Sequence, residues 1–182
     1  MLNTSDLKRR AEVLSQPPTR PRDSAEAVRL ILLTGCRSGE ILRLRREDVQ
    51  QGRLSLPRTK TGPRTVVLSS DAQKVLKARR RRRTSDYVFP SPSNPDQPRG
   101  SITSAWATIK EKAALPDTLR LHDLRHIYAS HAVLAGESLY MTGKLLGHRA
   151  TQSTERYAHL DGKALAKAAD EVATTIEVMM VG

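Results

Sequence analysis

Cysteine and aromatic residues are scarce in this chain. It has one cysteine, Cys36, so an internal disulfide is excluded, and a single thiol fits a reducing compartment. Only six of the 182 residues are aromatic, so the core must be built mainly from leucine, valine, isoleucine and alanine. No apolar run approaches the roughly 20 residues that span a bilayer, and the N-terminus lacks the apolar stretch of a signal peptide. We therefore expect a soluble, cytoplasmic protein.

Positive charge, by contrast, is abundant. The chain has 31 lysines and arginines against 19 acidic residues, which gives a formal net charge of +12. Such an excess favours a polyanionic partner, and nucleic acid before any other. A membrane surface is not expected as a partner, because no basic amphipathic segment carries bulky aromatic side chains. Five consecutive arginines at 79–83 are most simply interpreted as a solvated helix end with general affinity for phosphate.

Turn residues and hydrophobic periodicity predict a mainly α-helical domain with a small antiparallel β-sheet. Strands at 53–57 and 65–69 flank a turn-rich stretch, which places Lys60 near the tip of a β-hairpin, and a third strand is expected near Val49. Asp23 and Glu26 resemble a capping box, and Ser101 is expected to cap a later helix. The other predicted helices cover about residues 5–15, 23–34, 38–46, 71–83, 121–135, 138–146, 151–158 and 163–177.

Several side chains are suited to phosphate chemistry, although each also has an ordinary structural interpretation. Arg37 follows a glycine break near a helix N-terminus, where backbone N–H groups favour an anion, yet it could simply pair with Glu40. Lys60 could deliver a proton, or it could be a solvated turn lysine. His148 could hold or move a proton, or it could be a helix-cap or core histidine. Tyr157 could attack as a nucleophile, or it could be a packing residue.

The segment HDLRH has the clearest helical spacing. His122 and Arg125 are three residues apart and share a helix face, so they could act on one phosphate. His122 and His126 also approach the H-E-x-x-H zinc motif, but an aspartate replaces the glutamate and Arg125 would repel a dication. A solvated helix edge is the structural alternative. Cys36 is best interpreted as small core filler.

Taken in order, these segments resemble those of the tyrosine recombinases, also called phage integrases. The matching pieces are TGCRSGEIL, TKTGPRTVVLS, LRLHDLRHIYASHAVLAG, LLGHRA and STERYAHL, in which Tyr157 follows His148 by nine residues. The resemblance covers about residues 3–170. It implies the catalytic-domain fold of that family, which is similar to that of type IB topoisomerases.

The resemblance also implies a role for each side chain. Tyr157 would attack the scissile phosphorus and form a 3′-phosphotyrosyl link. Arg37 and Arg125 would bind the phosphate oxygens and stabilise charge in the transition state. The other implied roles are a general acid for Lys60, a proton acceptor for His122, a phosphate hydrogen-bond donor for His148 and an orienting carboxylate for Glu40.

Further implications concern cofactors and DNA contacts. The covalent link conserves bond energy, so no nucleotide cofactor is expected, and no phosphate-binding glycine loop is present. No metal is expected either, because two arginines could supply much of what a metal supplies elsewhere and the sequence shows no cluster of carboxylates for Mg²⁺. The arginines that we expect to contact DNA are Arg64, Arg79, Arg80, Arg81 and Arg149.

The resemblance finally implies an organisation and a partner. Residues 1–182 are expected to form a single catalytic domain without a core-binding domain ahead of it, and the helix at 163–177 is expected to dock on a neighbouring copy. The expected partner is double-stranded DNA at the nucleoid, on which the protein would assemble as a tetramer. Without DNA, self-association is expected to be weak or absent. Three alternatives stay open: a topoisomerase that relaxes supercoils, a non-catalytic DNA-binding relative, and a basic RNA-binding protein.

Overall fold

The computed structural model describes residues 22–59, 62–81, 85–148, 152–160, 169, 170, 172–174 and 176. Its internal contacts divide the chain into two compact units, Met1–Tyr128 and Ala129–Gly182. Among the described residues, no helix combines the length and the apolar character needed to cross a membrane. The helix predicted at 5–15 and the predicted hairpin-tip residue Lys60 lie outside the described residues.

The described part of the first unit is mainly helical, with one small sheet, and this confirms the predicted fold class. Its elements in chain order are α1 (Arg22–Thr34), α2 (Ser38–Leu42), β1 (Val49–Gln50), β2 (Arg53–Leu56), β3 (Arg64–Val67), α3 (Ser70–Arg80), α4 (Thr103–Lys112) and α5 (Asp123–Leu134), of which the residues up to Tyr128 belong to this unit.

The three strands form one antiparallel sheet in the order β1-β2-β3. β2 and β3 are the two arms of the predicted hairpin, and Leu54 lies opposite Val66. Leu54, Leu56 and Val66 are buried, whereas the residues between them are more exposed, as a half-buried strand requires. The strand expected near Val49 is confirmed as β1, which pairs with β2.

Aliphatic side chains fill most of the core of the first unit, as the scarcity of aromatic residues predicted. Leu30 and Ile31 of α1 belong to the same buried cluster as Ile41 of α2 and Leu54 of β2. α1 ends where Gly35 takes a φ of +62°, a left-handed conformation that is unstrained only for glycine. This sharp end directs the chain into α2 and so determines where the residues after it lie.

The capping box predicted at Asp23 and Glu26 is wrong. α1 already begins at Arg22, so Asp23 lies in its first turn and not at the N-cap position. Both carboxylates instead form ion pairs with Arg79 of α3. A partner more than fifty residues away in the chain therefore takes the two side chains that local sequence assigned to the helix end.

Two further helix boundaries differ from the prediction. The N-cap residue of α4 is Ile102, and Ser101 instead accepts a hydrogen bond from the backbone N–H of Thr103. The helix predicted at 38–46 ends at Leu42, so α2 is a single short turn. The apolar residues of α4 form one buried face, which consists of Ala105, Trp106 and Ile109, and Trp106 is 4% exposed.

The described part of the second unit is helical. After the end of α5 come α6 (Leu139–Leu146), α7 (Gln152–Glu155) and a short 3-10 helix (Ala158–Leu160). Ser138 caps α6 by accepting a hydrogen bond of 3.1 Å from the backbone N–H of Met141. Of the helix predicted at 163–177, residues 169, 170, 172–174 and 176 are helical, and the rest lies outside the described residues.

Candidate active site

Arg37 lies in the break between α1 and α2, where its extended backbone begins the second helix. Its backbone N–H donates to Glu40 Oε2 at 2.9 Å, and its Nη1 donates to Glu40 Oε1 at 3.1 Å. The structural interpretation of Arg37, as the partner of Glu40, is therefore confirmed. Its side chain remains 28% exposed, so the guanidinium can also meet a ligand.

Glu40 is held between two arginines. Its second partner is Arg64, the first residue of β3, whose Nη2 donates to Glu40 Oε2 at 2.8 Å. Burial by itself would raise the pKa of Glu40, but the hydrogen bond and charge of Arg64 and the contacts from Arg37 outweigh it. The pKa of this carboxyl therefore lies below its ordinary value, and Glu40 is ionised at neutral pH.

Arg64 does not have the exposed position expected of a DNA contact. Its side chain is only 9% exposed, and its Nη2 lies 3.5 Å from the buried Cys36 Sγ. Its Nε and Nη1 are buried and have no hydrogen-bond partner among the described residues. Cys36 is completely buried, so its interpretation as core filler is confirmed, and burial raises the pKa of its thiol.

Arg125, on the first turns of α5, is buried and belongs to the same cluster. Its Nη1 donates to the backbone carbonyl of Gly35 at 2.7 Å. Burial first, and then the positive charges of Arg37 and Arg64, lower the pKa of Arg125 to about 10. Arg37 and Arg64 bind the same carboxylate of Glu40, and Arg125 binds the carbonyl of Gly35, two residues before Arg37. The three positive charges are therefore grouped in one place, which favours a bound anion.

Gly35 makes this arrangement possible. A Cβ added at Gly35 would lie 2.5 Å from Cδ1 of Tyr128, which packs directly on the backbone there. Tyr128 lies one helical turn beyond Arg125 on α5. The close contact between this helix and the α1–α2 break therefore brings Arg125 to the Gly35 carbonyl and next to Arg37.

His122 is exposed and lies just before α5, not within it. Its carbonyl accepts the backbone N–H of Arg125 at 3.1 Å, and its ring meets that of His126 edge-to-face with centroids 5.1 Å apart. His122 and Arg125 therefore differ in burial, although the sequence predicted a shared helix face. Within the described ranges, no three histidine, cysteine or carboxylate side chains are grouped closely enough to hold a metal ion.

The second unit brings His148 and Tyr157 into one hydrogen-bonded segment. His148 Nδ1 lies 2.9 Å from the hydroxyl oxygen of Thr154, and the backbone N–H of Tyr157 donates to the Thr154 carbonyl at 3.0 Å. Thr154 is 2% exposed and Tyr157 is 5% exposed. The two predicted catalytic residues of this unit are thus connected through one threonine.

The remaining predicted DNA contacts have different environments. Arg79 is buried: it forms ion pairs with Asp23 and Glu26, donates from Nε to the Val88 carbonyl at 2.8 Å and stacks on Phe89. The interpretation of Arg79 as part of a solvated helix end is therefore wrong, whereas Arg80 and Arg81 are exposed. Arg149, like Lys60, lies outside the described residues.

The sequence analysis assigned Arg64 to a DNA contact and missed its buried position, and it did not single out Thr154. The inward position of Arg64 had a signal, because Arg64 and Val66 are two residues apart in β3 and so lie on the same, buried face. Thr154 had none, since a threonine in a short polar helix is typical of a solvated segment. Only its contact with His148 distinguishes it.

Comparison with known proteins gives consistent similarities. The model of the phage integrase family matches residues 3–163. Tyrosine recombinase XerA of Pyrococcus furiosus is 30% identical over 189 residues, which cover 100% of this chain and 64% of XerA. The chain spans between 38% and 64% of the length of three curated relatives that it matches.

Solved structures show the same fold. The catalytic domain of bacteriophage HP1 integrase has a TM-score of 0.68 and 25% identity, and the match covers 93% of each chain. XerH site-specific recombinase, solved bound to palindromic difH substrate in a post-cleavage complex, has a TM-score of 0.73 and 23% identity. That match covers 92% of this chain and 52% of XerH.

Proposed function

Because the chain belongs to the phage integrase family, we propose that it is the catalytic part of a tyrosine recombinase, which cuts and rejoins DNA strands through a covalent link to Tyr157. The observation that carries this proposal is the cluster of Arg37, Arg64 and Arg125 around Glu40, which is the one carboxylate that pairs with them among the described residues. This cluster has an excess of positive charge in a largely buried place. A phosphate of the DNA backbone is the anion that would neutralise it.

Electrostatics favour a phosphate strongly at such a cluster. One guanidinium about 4 Å from a phosphate charge contributes about 4 kcal/mol at an effective dielectric constant of about 20. Arg37 and Arg125 are the proposed phosphate ligands, and Glu40 with Arg64 holds Arg37 in place. The groups are already oriented before the substrate binds, so little reorganisation is needed as charge develops in the transition state.

In the proposed reaction, the phenol oxygen of Tyr157 attacks the phosphorus of a DNA phosphodiester. The new oxygen–phosphorus bond forms as the bond to the 5′ oxygen breaks, which leaves a 3′-phosphotyrosyl link and a 5′-hydroxyl. The phenol proton passes to a base, for which His122 is the candidate, and Lys60 protonates the 5′ oxygen. His148 donates a hydrogen bond to the phosphate. Attack by a 5′-hydroxyl in the reverse direction rejoins the strand, so the energy of the phosphodiester bond is conserved.

The comparisons support this proposal at the level of the family and the fold. Matches to the HP1 integrase catalytic domain over 93% of each chain support the assignment of both units to one catalytic domain. XerH was solved with its DNA substrate, which supports double-stranded DNA as the partner here. Assembly of several copies on that DNA, with the C-terminal helix docking on a neighbour, and association with the nucleoid belong to the same proposal.

The decisive experiment traps the covalent intermediate. Duplexes that carry a nick, with randomised sequence around it, are incubated with the protein and separated on a denaturing gel, with and without EDTA. Loss of the short fragment beyond the nick prevents religation, so a protein–DNA adduct should accumulate. We expect a denaturant-resistant adduct with the wild type, no adduct with Tyr157→Phe, and no effect of EDTA.

Tyr140→Phe is the matched control. Tyr140 is also in the second unit but is 63% exposed, so removal of its hydroxyl should leave adduct formation unchanged. An adduct that persists in Tyr157→Phe would assign the nucleophile elsewhere, and the absence of any adduct with the wild type would contradict the proposed activity. Relaxation of supercoiled plasmid without any sequence requirement would instead favour a topoisomerase.

A further inference from the structure

Backbone hydrogen bonds at the end of α6 fix the position of the His148 main chain. Gly147 takes a φ of +70°, and its N–H donates to the Lys144 carbonyl at 3.0 Å. The N–H of His148 then donates to the Gly143 carbonyl at 2.9 Å. These two bonds are those of a Schellman motif, which ends the helix and satisfies its last carbonyls. The Cα of His148 is therefore held independently of its side chain.

The side chain of His148 is held by a second set of contacts. Its Nδ1 lies 2.9 Å from the hydroxyl oxygen of Thr154, which is buried. The carbonyl of the same threonine accepts the backbone N–H of Tyr157. Thr154 therefore connects the imidazole to the turn that carries the proposed nucleophile.

Gly143 provides the space for this hydroxyl. A Cβ added at Gly143 would lie only 2.9 Å from Thr154 Oγ1, a distance at which one of the two atoms must move. The backbone of α6 therefore lies closer to Thr154 than a residue with a Cβ would allow without a shift. The position of the hydroxyl is defined by His148 on one side and by Gly143 on the other.

We infer that the Thr154 hydroxyl is a positioning group that donates to His148 Nδ1 and thereby keeps the imidazole proton on Nε2. A neutral imidazole carries one proton, and the hydrogen bond at one nitrogen decides which nitrogen has it. A hydroxyl that donates to Nδ1 makes Nε2 the donor. This inference rests on the proposed function for its catalytic meaning, because that function requires His148 to donate to a phosphate.

Thr154→Val separates this role from packing. Valine has the same branched shape but no hydroxyl, whereas Thr154→Ser keeps the hydroxyl and loses the methyl group. If Thr154 only filled space, valine would replace it better than serine. If the hydroxyl fixes the tautomer, serine retains the effect and valine removes it.

The first measurement is the tautomer itself, in the full chain and without DNA. Imidazole ¹⁵N and ¹³Cδ2 NMR shifts of His148 are recorded at about pH 8.5, where an ordinary histidine is neutral. We expect the Nε2–H tautomer in the wild type and in Thr154→Ser, and a mixture of tautomers in Thr154→Val. An Nδ1–H tautomer in the wild type, or one tautomer in all three proteins, would overturn the inference.

Gly143→Ala tests the same contact without removing the hydroxyl. The added methyl group must displace Thr154 Oγ1, and alanine is otherwise favourable within a helix. The same loss of the single tautomer is expected. If Thr154→Val does not fold, this variant decides the question, and an unchanged tautomer in it counts against the inference.

The second measurement is the rate of adduct formation on the nicked duplexes. Thr154→Val should form the adduct about fivefold to tenfold more slowly, and Thr154→Ser should restore most of the rate. A wild-type rate in Thr154→Val would show that the hydroxyl does not position His148 for the reaction. If the wild type forms no adduct, the proposed function fails, while the NMR tautomers still decide the inference.

Discussion

At the scale of single residues, Glu40 shows how burial and charge combine in this protein. Its carboxylate is 7% exposed, which would disfavour ionisation, yet two arginines donate to its two oxygens. The arginines prevail and lower the pKa of Glu40. One acidic residue thus holds Arg37 and Arg64 together, although their positive charges repel each other.

The pH dependence of stability should reveal this carboxylate. Because the pKa of Glu40 in the folded chain is below its unfolded value of 4.5, its stabilisation is present above that pH and is lost as the pH falls through the folded pKa. At neutral pH, Glu40→Gln should lower the free energy of unfolding by about 2 kcal/mol, the scale of hydrogen bonds to charged groups. Denaturant titrations between neutral pH and about pH 3 should show the difference from the wild type shrinking.

Glu47→Gln is the control for that series. Glu47 pairs with Arg45, but its side chain is 72% exposed, so water screens the interaction. We expect Glu47→Gln to change the unfolding free energy little at any pH. A difference between the wild type and Glu40→Gln that stays constant throughout the series would contradict the interpretation of Glu40.

At the scale of elements, neighbouring arginines at the end of α3 differ in burial because they lie on different faces of the helix. Arg79 points into the first unit, where it lies against Phe89 and between Asp23 and Glu26 of α1. Arg80, the next residue, is exposed. A run that looks uniform in the sequence therefore contains a residue that connects two helices and a residue that faces solvent.

Two methionine substitutions in α3 should affect different properties, one the stability of the fold and the other the binding of DNA. Arg79→Met leaves two carboxylates without the cation between them and should lower the unfolding free energy by about 3 kcal/mol. Arg80→Met should leave stability nearly unchanged, but it should weaken binding to duplex DNA and reduce the slope of log affinity against log salt by about one. Denaturant unfolding and fluorescence anisotropy with a labelled duplex measure these effects. Equal stability of the two variants would contradict the assigned role of Arg79.

At the scale of the whole molecule, net charge decides the kind of partner. Ion pairs within the protein, such as Arg64 with Glu40, leave the formal net charge of +12 unchanged, because both charges of each pair are already counted in it. Long-range attraction to a polyanion follows from this excess whatever the sequence of that polyanion. Sequence preference must come from contacts with base edges, which net charge does not provide.

Binding to duplex DNA without a recognition sequence should therefore depend steeply on salt. If about four phosphates are neutralised, the affinity should fall about a hundredfold between about 50 mM and 200 mM monovalent salt, because counterions are released on binding. Anisotropy titrations on random duplexes test this expectation, and Tyr157→Phe should behave like the wild type because it keeps every charge. An affinity independent of salt in this range would contradict the charge argument.

Local sequence patterns predicted the structure correctly where residues close together in the chain determine it. Alternation in β2 and β3 predicted the hairpin, and Gly35 predicted the end of α1, because strand faces and helix ends depend on residues close in sequence. The capping box at Asp23 and Glu26 was wrong because Arg79, far along the chain, competes for both carboxylates. A local motif has no means of showing such a competitor.

The sequence by itself determined the family, the order of the proposed catalytic residues and most helices and strands, since each of these depends on short segments. The alternation in β3 indicated an inward position for Arg64, but only the tertiary structure decided that Arg79 and Arg125 are buried. Arg64 and Arg125 meet near Glu40 because β3 and α5 are packed against the α1–α2 break. Burial and pKa values arise from contacts between distant parts of the chain, and those contacts exist only once it has folded.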